Sequence, residues 1–358
     1  MLKVGLIGCG GIGTMHAKCW MAMKDRAVLC AIADFATEKA NALAAECGAR
    51  VYQTADEMLQ KEELDAVDIC LPTALHAEFV LKAMARVKNV IVEKPLCLTE
   101  EEAERLLAAE KEHRAFIQVA HIGRFGASQR YLTEAVKSGR YGKLISADFV
   151  RLSARPTWVK DYDNEAKTGG MALDFHIHDT DYIRHLMGGD PDTLSANGVV
   201  TEDGVITHLW SEYRYGDAVI HTEASWDFPA HFPFTKTYRV RLEGATLIFE
   251  NKVLTVYPEV GEPFSPPLDD GAVLDVGINI KSFGVFLREL TAFADAITSG
   301  GAAVVSLKEA ASAIRIAKEE IRQIRKNAYN AHALHLVSHH ARRTRREGNR
   351  PLRTRARL

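Results

Sequence analysis

The run Lys3-Val4-Gly5-Leu6-Ile7 reads as a buried parallel strand, and Gly8-Cys9-Gly10-Gly11-Ile12-Gly13 follows it directly. The spacing G-x-G-x-x-G falls on Gly8, Gly10 and Gly13, and a helical stretch from Thr14 to Lys24 comes next. Such a turn asks for glycine three times. Gly8 permits the tight turn, Gly10 lets backbone approach a pyrophosphate, and Gly13 lets the helix pack close to the strand. The free N–H groups at that helix start, around Gly11 and Ile12, would then hold phosphates. A second apolar run, Ala27 to Ala33, ends in Asp34, 21 positions beyond Gly13. That offset suits an acid on the ribose hydroxyls of a dinucleotide. Helix capping is the plainer role for Asp34, and the two are compatible. Phe35 follows it and no Arg or Lys lies beside it to receive a 2′-phosphate, so NAD is expected over NADP.

A chain of 358 residues exceeds what one core usually supports, so two domains are expected. Strand and helix patterns alternate up to residue 123, predicting a doubly wound parallel sheet over 1–123. From Leu144 onward, alternating segments such as Leu144–Leu152, Ile206–Tyr215 and Ala218–Trp226 predict a mostly antiparallel sheet. The fold class expected is therefore an α/β Rossmann domain followed by an α+β domain over 124–326, closed by helices near 279–299 and 307–326. All six cysteines precede residue 98 and none forms a C-x-x-C pair, which favours reduced core thiols over disulfides or zinc. With no leader-like segment before the first strand and no apolar run near 18 residues, a cytoplasmic location without membrane contact is expected.

The net charge of −2 hides an asymmetry. From Ile321 onward the chain carries eleven Lys or Arg and one acid, leaving a body near −12. Residues 327–358 are therefore expected as a solvated, disordered basic tail, with nucleic-acid binding not expected.

Two stretches carry chemistry. Glu93-Lys94-Pro95 closes a parallel strand, and ligands of open α/β sheets bind beyond such carboxyl ends, so Lys94 should project into the cofactor crevice. The proline holds Lys94 extended, and a cis bond is open there. In Gly169-Gly170-Met171-Ala172-Leu173-Asp174-Phe175-His176-Ile177-His178-Asp179-Thr180-Asp181, helical spacing puts Asp174, His178 and Asp181 on one face. A carboxylate beside an imidazole orients it and raises its basicity, as a general base requires. A surface ion pair and a metal site are the other readings of the same spacing.

These motifs, in this order and at these separations, resemble the Gfo/Idh/MocA oxidoreductases over residues 1 to about 325. Cys70-Leu71-Pro72-Thr73 with His76 is similar to that family's loop lining the cofactor cleft, and Arg124-Phe125 with Gly139-Arg140-Tyr141-Gly142 to its crossing into the second domain. The resemblance implies a hydride exchanged between NAD and a hydroxyl of a neutral sugar, inositol or other polyol, without a metal. It implies a cofactor site including Pro72, Thr73, His76, Glu93 and Lys94. It also implies a catalytic group of Lys94, Asp174 and His178, with His178 as the base, and a homodimer or homotetramer. Some relatives carry Tyr where His178 stands, so this chain matches the inositol-dehydrogenase-like branch. His121, Arg124, Arg155, Trp158, Tyr162 and Asn164 are candidates for the sugar, whereas His231 reads as structural. An NAD-dependent glycosidase or lyase using transient oxidation, and a non-catalytic NAD sensor, are the alternative functions.

Overall fold

The computed structural model describes residues 1–155, 164–277 and 281–348, with side chains up to Asn330. Its first layer is a six-stranded parallel sheet in the order β3-β2-β1-β4-β5-β6. The strands are β1 (Leu2–Ile7), β2 (Ala27–Ala33), β3 (Arg50–Tyr52), β4 (Ala66–Ile69), β5 (Asn89–Glu93) and β6 (Phe116–Ala120). Helices α1 (Gly11–Ala22), α2 (Thr37–Cys47), α3 (Ala55–Lys61), α4 (His76–Met84) and α5 (Glu100–His113) connect them. Val4, Leu6, Val67, Val90 and Val92 are fully buried because helices cover both faces. Thr99 and Glu102 form a reciprocal cap at the start of α5. The strand order reverses between β1 and β4, and ligands of such sheets sit beyond the carboxyl ends at that switch.

After α6 (Ala127–Lys137) the chain enters a seven-stranded sheet. It holds β7 (Leu144–Ala154), β8 (Thr193–Val200), β9 (Ile206–Tyr215), β10 (Ala218–Phe228), β11 (Thr235–Leu242), β12 (Ala245–Glu250) and β13 (Val253–Pro258), in the order β13-β12-β11-β7-β10-β9-β8. Every pairing is antiparallel except β7 with β10. The short α7 (Glu165–Thr168), a π-helical turn over Met171–His176 and α8 (Ile177–Met187) lie between β7 and β8. The expected architecture is therefore the observed one, with β3, β8 and β12 added to the strands read from sequence.

Two features differ from the sequence reading. The last helices, α9 (Phe283–Ser299) and α10 (Leu307–Gly348), follow the second sheet in the chain but return to the first domain. Phe286, Leu290 and Phe293 of α9 pack with Met15 and Trp20 of α1. Ile314, Ala317 and Ile321 of α10 join a core that also contains Val92, Leu106 and Trp226. Chain position alone therefore does not divide the two cores. Second, the backbone beyond Asn327 continues α10 to Gly348, where an irregular tail was expected. Ala, Leu and Arg are good helix formers, and the stretch 327–348 has no Pro to stop them.

Candidate active site

The carboxyl ends of β1, β4, β5 and β6 deliver Gly8, Cys70, Lys94 and His121 to one rim of the parallel sheet. Gly8 has φ +97°, a conformation that suits glycine, and an added Cβ would lie 2.4 Å from the Cys70 carbonyl. At Gly13 an added Cβ would lie 2.0 Å from the Gly8 carbonyl, so helix and strand touch there. Gly10 is different, since a Cβ would meet nothing within 4 Å. The start of α1 has no side-chain cap, so its N–H groups at Gly11 and Ile12 face that open space. Asp34 accepts from Cys9 N at 2.5 Å and from Ala36 N at 2.7 Å, tying the two turns of the rim together. Open space at Gly10, uncapped amides and a carboxylate one strand away suit a dinucleotide diphosphate and ribose.

Of the β4 loop, Pro72 is exposed and Thr73 half-buried. His76 is buried, with Nδ1 2.7 Å from Pro95 O and Nε2 2.7 Å from Leu71 O. Both ring nitrogens are thus engaged by backbone, and His76 sets the spacing of the β4 and β5 loops rather than presenting a free nitrogen. Glu93 turns inward, with Oε1 3.3 Å from His16 Nε2 and Oε2 accepting from Lys94 N at 3.0 Å. Beneath it lies a buried network the sequence reading missed. Asp68 takes His16 Nδ1 at 2.9 Å and the Trp20 indole N–H at 2.7 Å, and Cys70 Sγ lies 3.3 Å from the same imidazole nitrogen.

Lys94 precedes a cis Lys94–Pro95 peptide. Its ammonium donates to the Asp174 carbonyl and to Asp174 Oδ1, each at 2.7 Å, and so links the first domain to the second. Asp174 sits within the π-helical turn, after Gly169 and Gly170 at φ +85° and +68°. His176, in the same turn, contacts Tyr213 Oη and Glu320 Oε1 at 3.1 Å, fully buried. Burial disfavours its charge, but Glu320 outweighs that and raises its pKa.

The sequence reading put Asp174, His178 and Asp181 together on one helical face. The π turn alters the offset of Asp174 from His178, whereas His178 and Asp181 both lie in α8. Asp174 goes to Lys94, while Asp181 is fully buried and accepts from Arg124 Nε and Nη2 at 2.8 and 2.6 Å. Among the described residues, no carboxylate lies within ion-pair distance of His178, since Asp174 and Asp181 pair elsewhere. Burial first, then the charges of Lys94, Arg151, His121 and Lys236, push its pKa well below 6.5. The imidazole is therefore neutral at pH 7, with a ring nitrogen able to accept a proton.

Among the sugar candidates, His121 is buried, with Nδ1 3.8 Å from Asp181 Oδ2 and no hydrogen bond among the described residues. Arg124 does not reach the cavity that holds His178, because Asp181, Glu309 and the Val304 carbonyl take its guanidinium. Arg155 lines a separate cavity with Asp203, Thr207, Trp226 and Asp227. Asn164 caps α7 by accepting from Ala166 N at 3.2 Å. Trp158 and Tyr162 lie outside the described residues, and His231 is exposed in a turn. The cavity holding His178 is lined instead by Gln129, Arg151, Asp179, Lys236 and Thr237, of which the sequence reading singled out none for substrate.

A glycine turn at a switch point, joined through a lysine to a second domain with a neutral histidine, defines a dinucleotide-binding protein with a two-domain site. The pattern described as "Oxidoreductase family, NAD-binding Rossmann fold" matches residues 2–121, and that of the "GFO/IDH/MocA C-terminal domain" matches residues 129–248. The chain belongs to the Gfo/Idh/MocA family and its first domain binds NAD. It is 26% identical to inositol 2-dehydrogenase of Rhizobium meliloti over 331 residues, 90% of this chain and 97% of the relative. It is 31% identical to myo-inositol 2-dehydrogenase of Thermotoga maritima over 203 residues, 56% of this chain. That match spans 60% of the relative's own length. In fold it is similar to a levoglucosan dehydrogenase solved with NADH and levoglucosan, with TM-score 0.80, 21% identity and coverage of 91% and 97% of the two chains. Among the described residues, no helix is long and apolar enough to cross a membrane.

Proposed function

We propose that the protein is an NAD-dependent dehydrogenase that oxidises a hydroxyl of a sugar, inositol or related polyol. The observation that carries this reading is the Lys94 ammonium held at 2.7 Å by Asp174, with a neutral His178 four residues further along the chain. When bound in the first domain, NAD would supply the hydride acceptor for the carbinol carbon, which becomes a ketone. Lys94 binds the hydroxyl oxygen and stabilises the alkoxide that develops there. Asp174 fixes the direction of that ammonium. His178 takes the hydroxyl proton, so the alcohol loses one proton to protein and one hydride to the coenzyme. The printed names of the relatives, inositol 2-dehydrogenases among them, support the same substrate class.

The test is NADH formation with inositols, aldoses and glucosides. Lys94→Ala and His178→Ala should each lower kcat by about 10²-fold or more while NAD binding persists. Near-wild-type turnover in either variant removes that residue from the mechanism. Aglycone release without net NADH would favour the transient-oxidation lyase.

A further inference from the structure

The cavity that holds His178 is also lined by Lys236, a cation with no direct ion-pair partner among the described residues. Lys236 lies on β11 directly opposite Arg151 of β7, so the two side chains share one face of the sheet. Arg151 is neutralised, since its Nε and Nη2 donate to the two oxygens of Asp179 at 2.6 and 2.7 Å. Lys236 has no hydrogen bond and no acidic group within ion-pair distance among the described residues. Gln129, Thr237, Tyr182 and Tyr238 complete the walls of a narrow cavity of about 10 Å³ that opens to solvent. Burial, then the adjacent Arg151, push the Lys236 ammonium down to about 8, so it still carries its proton at pH 7. Asp179 and Asp270 favour its charge only from beyond ion-pair distance, and perturbed groups of this kind gather at functional sites.

We infer that Lys236 binds a carboxylate of the substrate, so that the sugar or polyol oxidised beside His178 is a sugar acid. This rests on the dehydrogenase reading and narrows it, replacing the neutral substrate expected from sequence. A carboxylate matches the single uncompensated charge of the cavity, whereas a phosphate dianion would leave about one negative charge unpaired there. Thr237 Oγ1 and the Gln129 amide supply further polar groups on the same walls.

The test compares NADH formation with myo-inositol, glucose, gluconate, glucuronate and glucose 6-phosphate. In parallel, gluconate and glucuronate binding to the NADH-loaded protein is followed by coenzyme fluorescence. The expected result is a kcat/KM at least about tenfold higher for an acid than for the neutral compounds. Lys236→Met should raise the KM for the acid about tenfold or more, the scale of a lost charged hydrogen bond, with the KM for NAD unchanged and Lys236→Arg restoring much of the loss. Equal effects of Lys236→Met on neutral and acidic substrates, or better use of the phosphate, overturn the inference. Turnover and binding separate the two claims. If NADH never forms but an acid binds only when Lys236 is present, the dehydrogenase reading fails and the carboxylate site stands. If neutral polyols turn over and no acid binds, the carboxylate site fails and the dehydrogenase stands.

Discussion

The two walls of the site are built by opposite means. On the first domain, shape comes from backbone: Gly8 and Gly13 sit where a Cβ would strike a carbonyl at 2.4 and 2.0 Å, and His76 spans two loop carbonyls. On the second, shape comes from charge. Asp174, Asp179 and Asp181, within eight residues, pair with Lys94, Arg151 and Arg124 from three other elements. The pairs also differ among themselves. The Arg124–Asp181 side chains are 1% and 0% exposed, those of Lys94–Asp174 17% and 26%. A pair sealed from water holds structure, and one open to a cavity can exchange its partner for substrate.

That contrast breaks most visibly at Asp181. Asp181→Ala leaves the buried Arg124 guanidinium with Glu309 and the Val304 carbonyl and should cost about 3 kcal/mol in denaturant unfolding, the lower end of the scale for breaking a buried pair. Asp174→Ala should leave the unfolding midpoint nearly unchanged and reduce turnover. Equal destabilisation by both would erase the distinction drawn between the pairs.

On the backbone wall the corresponding pair is Gly13 and Gly10. Gly13→Ala puts a methyl against the Gly8 carbonyl and should lower stability by about 1–3 kcal/mol, the usual scale of overpacking. Gly10 has φ −65° and nothing within 4 Å, so Gly10→Ala should melt like the parent. It should nevertheless weaken NAD binding about tenfold, a loss of ~1.4 kcal/mol, because its methyl takes the space the diphosphate would occupy. Calorimetric NAD titration of both variants separates the two roles.

How much of this was legible in sequence follows from how local each feature is. The β1–α1 turn and Asp34 are local, and residues 1–34 suffice to read them. Lys94 is legible because a strand end before proline fixes where it points. The partners of Asp174 and Asp181 were not legible, because Lys94 and Arg124 reach them from elsewhere in the chain, and the π turn over Met171–His176 shifts Asp174 from regular helical spacing. Lys236 was invisible, since only the register that sets it opposite Arg151 brings it beside His178. Strand β8 escaped because its inward row places the small Ala196 and Gly198 between Leu194 and Val200, which weakens the apolar alternation. Strand β3 has only three residues to show any pattern.

The smallest effect tests whether the charged wall tunes the base. Burial, then the cations Lys94, Arg151 and Lys236, with His121 adding to them only when it is protonated, disfavour a proton on His178. A depressed pKa keeps the imidazole unprotonated, and so able to accept a proton, to lower pH than an ordinary histidine. The acid limb of kcat/KM for alcohol oxidation should therefore lie below 6.5, with the profile flat from pH 7 down through that value. The same shift acts on stability with a definite sign. The unfolded chain takes up the proton near 6.5 while the native fold resists it, so acid below that pH destabilises the native state. Lys236→Met removes one of these charges and should move the acid limb upward by a fraction of a pH unit. An unmoved limb would mean that Lys236 does not act on the base, leaving burial, Lys94 and Arg151 to account for the depression.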